Sequence, residues 1–469
     1  MLIIIGSVSL SFLIQMGSLK IALMPFIATI LALVYHKLSP LNRIGMILLL
    51  VSFPVMIQVG GRDAVSTGTV AIFAAIVYFI ATTGNIHRKR KDPIVFFLLS
   101  ALIFISIFGT ISEWQSRFAG PAIRHQVNFL SSVFFFIFIV FLFDSDNVTG
   151  NKNHSDHIER LLFFLFIVVS IQILIGFLVY KFPDTGEWFS LFTKRHRTAI
   201  STLAYYGGTE IRAQAIAFSH EELGEYLAVL FPLVLYKSIK NKKYYVFIII
   251  FIIGLLISNT RSALILVMIN SAFFILANFE RIKLNVISLI FGAVLFSFVL
   301  INTLGTGFVE SISFRFAQII SSYKSNQEIT ELINRQVVWN DAVISVKNNL
   351  NLFGNGQSPP NKLGKSAVNY HCLYLTLVFQ FGIIGFVFYM AFFFMILIRI
   401  LKLLFLPRGS SGFLIGMSTL ISFSTFLINE IKFEFNRGDT YQQFIFFYFS
   451  ICYLISFYHF KKDKKEPRS

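Results

Sequence analysis

Residues 237–283 read KSIKNKKYYVFIIIFIIGLLISNTRSALILVMINSAFFILANFERIK, two apolar legs between basic clusters with Arg261 at their junction. Arg261 lies 18 residues beyond Lys243 and 20 before Arg281, so each leg, built as a helix at about 1.5 Å per residue, covers about 27 to 30 Å. That is the thickness of a bilayer's hydrocarbon core. The stretch therefore predicts a tight membrane hairpin with an arginine at its tip. Alternating apolar and polar residues, the mark of barrel strands, are absent from both legs.

The rest of the chain repeats this pattern. Of its 469 residues, 56% are hydrophobic and 13% are charged, which no soluble globular class accommodates. Apolar runs at 94–111, 129–143, 161–180, 245–258 and 284–301 approach or reach spanning length. The expected fold is all-α, a polytopic integral membrane protein of about 14 transmembrane helices, or 12 to 14 depending on whether residues 1–35 form a hairpin. The segments expected are spans over 1–181, a long loop over 182–222, spans over 223–303 containing the Arg261 hairpin, a large loop over 304–370, spans over 371–460 and a basic tail over 461–469.

The formal net charge of +17 comes from Lys and Arg placed mainly in short gaps: Lys37 and Arg43, HRKRK at 87–91, Arg160, KSIKNKK at 237–243, Arg281 and Lys283, then Arg399, Lys402 and Arg408. That distribution reads as topology rather than as a nucleic-acid surface. Because short cytoplasmic loops collect Lys and Arg, both termini are expected in the cytoplasm and the two long loops outside. No cleavable signal is evident after the first apolar run. Cys372 and Cys452 offer no disulfide framework, and no His, Cys and carboxylate cluster has metal-ligand spacing.

Several residues near the outer face could carry chemistry. The planar, permanently charged fork of Arg261 suits bidentate phosphate recognition, although an arginine there could equally snorkel to water and anchor its helix. Arg212 and the KRHR run at 194–197 add positive charge to a loop where topology alone does not call for it, so an anionic ligand would explain them; a solvated basic loop is the alternative. Arg335 and Trp339 stand four apart in RQVVWNDAVISVKNNL, a stretch with helical spacing, and could present a cation and a ring to a sugar. Ordinary amphipathic packing also accounts for Trp339. Turn residues in FGNGQSPPNKLG (353–364) then predict a structured loop.

His371 is placed by length. The apolar stretch from Cys372 to Lys402 would be about 45 Å as one helix, longer than a bilayer needs, so the span proper is expected to begin near Gly382 and Gly385. His371 then stands at or above the outer surface, where an imidazole of ordinary pKa about 6.5 can accept a proton. A histidine that merely orders its loop is the competing explanation.

Four stretches in order, IRAQAIAFSHEELGEYLAVLFPL (211–233), NTRSALI (259–265), RQVVWNDAVISVKNNLNLFGNG (335–356) and NYHCLYLTLVFQFGIIG (369–385), resemble the bacterial O-antigen ligase and polymerase superfamily. The resemblance covers roughly residues 211–390. It implies that Arg212 and Arg261 hold a diphosphate, that Arg335 belongs to a functional loop motif, and that His371 activates an acceptor hydroxyl. Where the family often has Asn after this His, the chain has Cys372, which affects fine geometry more than the identity of the base.

The reaction implied is inverting glycosyl transfer from an undecaprenyl-diphosphate-linked glycan, without a metal or other cofactor. Its acceptor would be another lipid-linked repeat unit in a polymerase, the first reading, or lipid A core in a ligase. Membrane lipid and a chain-length regulator are the further partners expected, with no nucleic acid. The location implied is the bacterial inner membrane, with the site facing the periplasm. A lipid-linked oligosaccharide flippase fits less well, because transporters place charged groups near the midplane and often show repeated halves.

Overall fold

The structure, a computed structural model, describes residues 30–54, 56–59, 62–83, 93–112, 119–144, 154–182, 215–258, 260–277, 340, 343–344, 347, 352–357, 372–408, 410–431 and 439–465. Its helices are α1 Pro40–Ser52, α2 Thr67–Thr83, α3 Pro93–Ser112, α4 Ala119–Asp144, α5 His154–Lys181, α6 His220–Lys240, α7 Tyr245–Ser258, α8 Arg261–Ala277, α9 Leu373–Leu403, α10 Ser411–Asn429 and α11 Asp439–Lys465. Residues 30–37 are also helical. Five of these helices are long and apolar enough to cross a membrane. The chain is thus a predominantly helical, multi-pass membrane protein. The expected spans over 1–29 and 284–301 lie outside the described residues.

Apolar runs at 94–111, 129–143, 161–180 and 245–258 all fall on helices, α3, α4, α5 and α7. The departure from an all-helical chain, among the described residues, is an antiparallel pair between α1 and α2: β1 Met56–Val59 and β2 Arg62–Ser66, with Ile57 opposite Val65. The GG at 60–61 between two short runs is a hairpin signal, and the segment is too short to cross a bilayer. A second adjustment concerns the loop expected over 182–222. Its last residues already belong to α6, which opens on a capping box: Ser219 Oγ accepts from the Glu222 backbone N–H, and Glu222 Oε2 accepts from that of Ser219 at 2.7 Å.

Two helices form the axis. Every residue of α6 from Glu222 to Ser238 is buried, and α11 is buried along most of Thr440 to Ser456. A helix apolar on all sides belongs inside. Around α6 pack α7, α8 and α10, and around α11 pack α4, α5, α9 and α10. Pro232 inside α6 cannot donate to Ala228. Neighbours attend to the carbonyls there: Asn270 Nδ2 points at Ala228 O from 3.5 Å, and Ser422 Oγ donates to Val229 O. On the periphery, Ile265, Met268, Ile269, Phe273 and Leu276 of α8 and Phe97, Phe104, Phe108 and Ile111 of α3 are exposed at helical intervals, as lipid-facing stripes require.

The bundle's two ends differ in chemistry. One end is basic and aromatic. There the buried Lys237 Nζ lies 2.9 Å from Glu159 Oε2 and 5.3 Å from the Tyr244 ring, Arg43 sits 4.9 Å from the Tyr78 ring, and Arg399 sits 5.3 Å from that of Tyr453. The other end buries amides and carboxylates: Gln126, Asn128, Gln172, Glu222, Glu225, Gln380, Asn429, Glu430 and Gln443. Cross-helix hydrogen bonds fix this end. Gln443 Nε2 donates to Thr69 and Ser131, and Gln172 ties the Ser52 carbonyl to the Ala217 backbone N–H.

Candidate functional site at the polar end

Arg261 opens α8 at the polar end, where α7 stops at Ser258. The two helical legs expected on either side of this junction correspond to α7 and α8, with Arg261 the first residue of the second. Thr260, buried just before Arg261, donates from Oγ1 to the His220 carbonyl at 3.1 Å, which docks the hairpin tip on the first turn of α6. Close approach is possible because residue 224 is glycine. A Cβ there would lie 2.6 Å from Thr260 Cβ and 2.9 Å from Ser258 Oγ.

The segment that follows His371 reaches the same end. Cys372 is the extended residue before α9, and Leu373 donates its backbone N–H to the Glu430 carbonyl at 2.9 Å. One residue on, the Tyr374 hydroxyl donates to Leu427 O at 2.9 Å. The segment after Arg212 arrives here too. Phe218 stacks on Tyr226 with ring centres 5.5 Å apart and meets Tyr441 of α11 at 6.0 Å, while the Tyr226 hydroxyl donates to Phe444 O. Arg212, Arg335, Trp339 and His371 themselves lie outside the described residues, and Arg261 is described through its backbone. What the structure brings together is the chain from Ala215 onward, the start of α8 at Arg261 and the chain from Cys372 onward.

Beneath these junctions lie groups that the sequence reading did not single out. Glu222, Glu225 and Glu430 are 3%, 3% and 0% exposed, and all three are within electrostatic reach of the buried Tyr441 hydroxyl. Burying an ionised carboxylate is costly unless cations and hydrogen bonds compensate it. Each of the three has further partners. Among the described residues no group of three or more His, Cys, Asp or Glu side chains could hold a metal ion. Next to Glu430, both polar atoms of the buried Asn429 amide have no hydrogen-bond partner among the described residues. Glu430 was legible as an acid at the end of the apolar run STLISFSTFLINE, since an ionisable group in a span is a functional candidate by default.

The arrangement is a polar floor of buried amides and carboxyl groups at the end of the bundle where α8 begins. No curated protein matches the chain. Residues 246–390, which contain α7, α8, the 352–357 segment and the first half of α9, match the family model described as O-Antigen ligase. The match spans 145 of the 469 residues and supports the resemblance to the O-antigen ligase and polymerase superfamily there.

Proposed function

We propose that this protein is a surface-polysaccharide polymerase of the bacterial inner membrane, acting at its periplasmic face on undecaprenyl-diphosphate-linked glycans. The observation that carries the reading is the convergence of the segment from Ala215 to Ser219, the start of α8 and the Cys372–Leu373 segment on one polar end of the bundle, in a chain whose residues 246–390 match the O-antigen ligase family model. In this reading Arg212 and Arg261 hold the donor diphosphate. Their delocalised charge offsets the negative charge that grows on the leaving group. His371 accepts the proton of the acceptor hydroxyl as that oxygen attacks the anomeric carbon. The carbon–oxygen bond to the diphosphate breaks, its electron pair leaves with the diphosphate, and the anomeric configuration inverts. Arg335 and Trp339 contact the glycan from the large loop.

A second reading is favoured by the description of the matching model itself: a ligase, with the same donor and lipid A core as acceptor. Deletion of the gene separates the two. A polymerase deletion leaves lipid A core capped by a single repeat unit in an electrophoretic lipopolysaccharide profile. Uncapped core with polymer stranded on the carrier would assign the ligase reaction instead, and an unchanged profile would sink both.

A further inference from the structure

Helix α9 is interrupted: Gly382 has φ 68° and ψ −174°. In an unbroken α-helix the Phe379 and Gln380 carbonyls would accept from the backbone N–H groups of residues 383 and 384. Here they accept from elsewhere. Phe379 O takes the Asn355 backbone N–H at 2.9 Å and its side-chain amide at 3.1 Å, and Gln380 O takes the Gly356 N–H at 2.9 Å. Ile384, beyond the break, donates to the Leu352 carbonyl at 3.1 Å. The short segment 352–357 thus supplies hydrogen bonds that the helix loses at Gly382. Unpaired backbone groups are not tolerated in the apolar interior, so break and segment depend on one another.

The fit has little slack. Gly354 and Gly356 have φ of +76° and +67°; a Cβ on the first would meet the Gln380 carbonyl oxygen at 2.3 Å, and one on the second would meet Gly109 C at 2.4 Å. Gln357 reaches the opposite wall, α3. Its backbone N–H donates to Thr110 Oγ1 at 3.3 Å and its side-chain amide to Ser106 Oγ at 3.4 Å, and both hydroxyls donate onward to Gln126 Oε1 of α4. Asn355 and Gln357 are 7% and 3% exposed. The end of the large loop is therefore clamped between α3 and α9.

Fourteen residues, 358–371, separate this clamp from Cys372, and the last of them is His371. Both ends of that stretch are fixed to the same short leg of α9, residues 373–381: one at Phe379 and Gln380, the other at Cys372, with Leu373 held by Glu430. We infer that segment 352–357 is a membrane-embedded strut that sets the short leg of α9, and through it His371, so that Asn355 and Gln357 are positioning residues for the transfer reaction. The catalytic half of this inference rests on the proposed role of His371; the mechanical half does not.

The test uses the full-length protein in lipid and two readouts. Cys372 is partly exposed, whereas Cys452 is fully buried, so a membrane-impermeant maleimide reports on the start of α9; a Cys372→Ser control confirms the labelled site. Asn355→Ala and Gln357→Ala are expected to change the Cys372 labelling rate several-fold. They should also lower kcat by about ten- to a hundred-fold with donor KM nearly unchanged, because a displacement of about 1 Å is enough for such a loss. Wild-type labelling and kcat in both variants would overturn the strut. A fall in activity that only follows the amount of folded protein, with labelling unchanged, would reduce it to ordinary packing and overturn it too. Wild-type transfer by His371→Gln would instead remove the role of His371, while altered Cys372 labelling would still establish the strut.

Discussion

Gly224 of α6 and Thr260 at the hairpin tip are in contact that leaves no room for a methyl group: a Cβ at 224 would sit 2.6 Å from Thr260 Cβ and 2.7 Å from its Oγ1. Thr260 immediately precedes Arg261, so this contact sets how closely the start of α8 approaches the turn carrying Glu222 and Glu225. Gly224→Ala is expected to push the tip outward and to cost about 1–3 kcal/mol, the usual penalty for overpacking. A lower midpoint of thermal unfolding in detergent, with reduced transfer, is the expected outcome. An unchanged midpoint would show that the helices separate freely there.

At the basic end, Lys237 is buried against Glu159 and the Tyr244 ring, while Glu159 is more than a third exposed. Burial first, and the Glu159 charge second, raise the Tyr244 hydroxyl above its ordinary pKa, so the ring stays neutral as the ammonium's partner. Removing the anion leaves a buried cation with less compensation, whereas removing the cation leaves a carboxylate that water can reach. Glu159→Ala should therefore destabilise more than Lys237→Met. The partial exposure of Glu159 limits the difference to about 1–2 kcal/mol. Equal unfolding midpoints for the two variants would contradict the asymmetry.

The same contrast between apolar length and tertiary placement decides how much could be read from the chain. Helices α3, α4, α5 and α7 were legible because membrane spans are set by local apolar length, and the start of α8 at Arg261 because a polar junction parts two apolar runs there. The excess length of the stretch after Cys372 pointed to Gly382 and Gly385 as the start of a span; the structure has instead a break at Gly382 within one longer helix. The strut that occupies it was not legible, since turn residues at 353–356 predict a structured loop and not the carbonyls of Phe379 and Gln380 as its partners. Burial of Glu222 and Glu225 was hidden for a similar reason: a capping box marks a helix start, but only the packing of α7, α8 and α10 shows that this start is enclosed. For the site, the sequence named cations and a base, and the structure adds the floor beneath their chain neighbours.

Arg261 begins α8 one residue after a docked threonine, so its backbone is fixed whatever its side chain binds. If the guanidinium holds the donor diphosphate, Arg261→Ala should abolish transfer while the protein inserts at normal abundance. Arg261→Lys should rescue poorly, because an ammonium keeps the charge but loses the planar bidentate fork. Transfer assays beside immunoblots of membrane fractions make the comparison. Full activity in the Lys variant would argue that position 261 needs only a positive anchor.

His371 precedes Cys372, whose neighbour Leu373 is held by the Glu430 carbonyl, so the chain is tethered to the end of α10 two residues after His371. As general base it would take the acceptor proton during attack on the anomeric carbon, a role typically worth about 10² to 10⁴ in rate. His371→Ala should accordingly lower kcat by that factor while donor binding and abundance stay near wild type. His371→Gln keeps size and hydrogen bonding but cannot accept the proton comparably, so it should be nearly as inactive. Near wild-type turnover in the Gln variant would assign proton transfer to another group and leave His371 an ordering role in the loop.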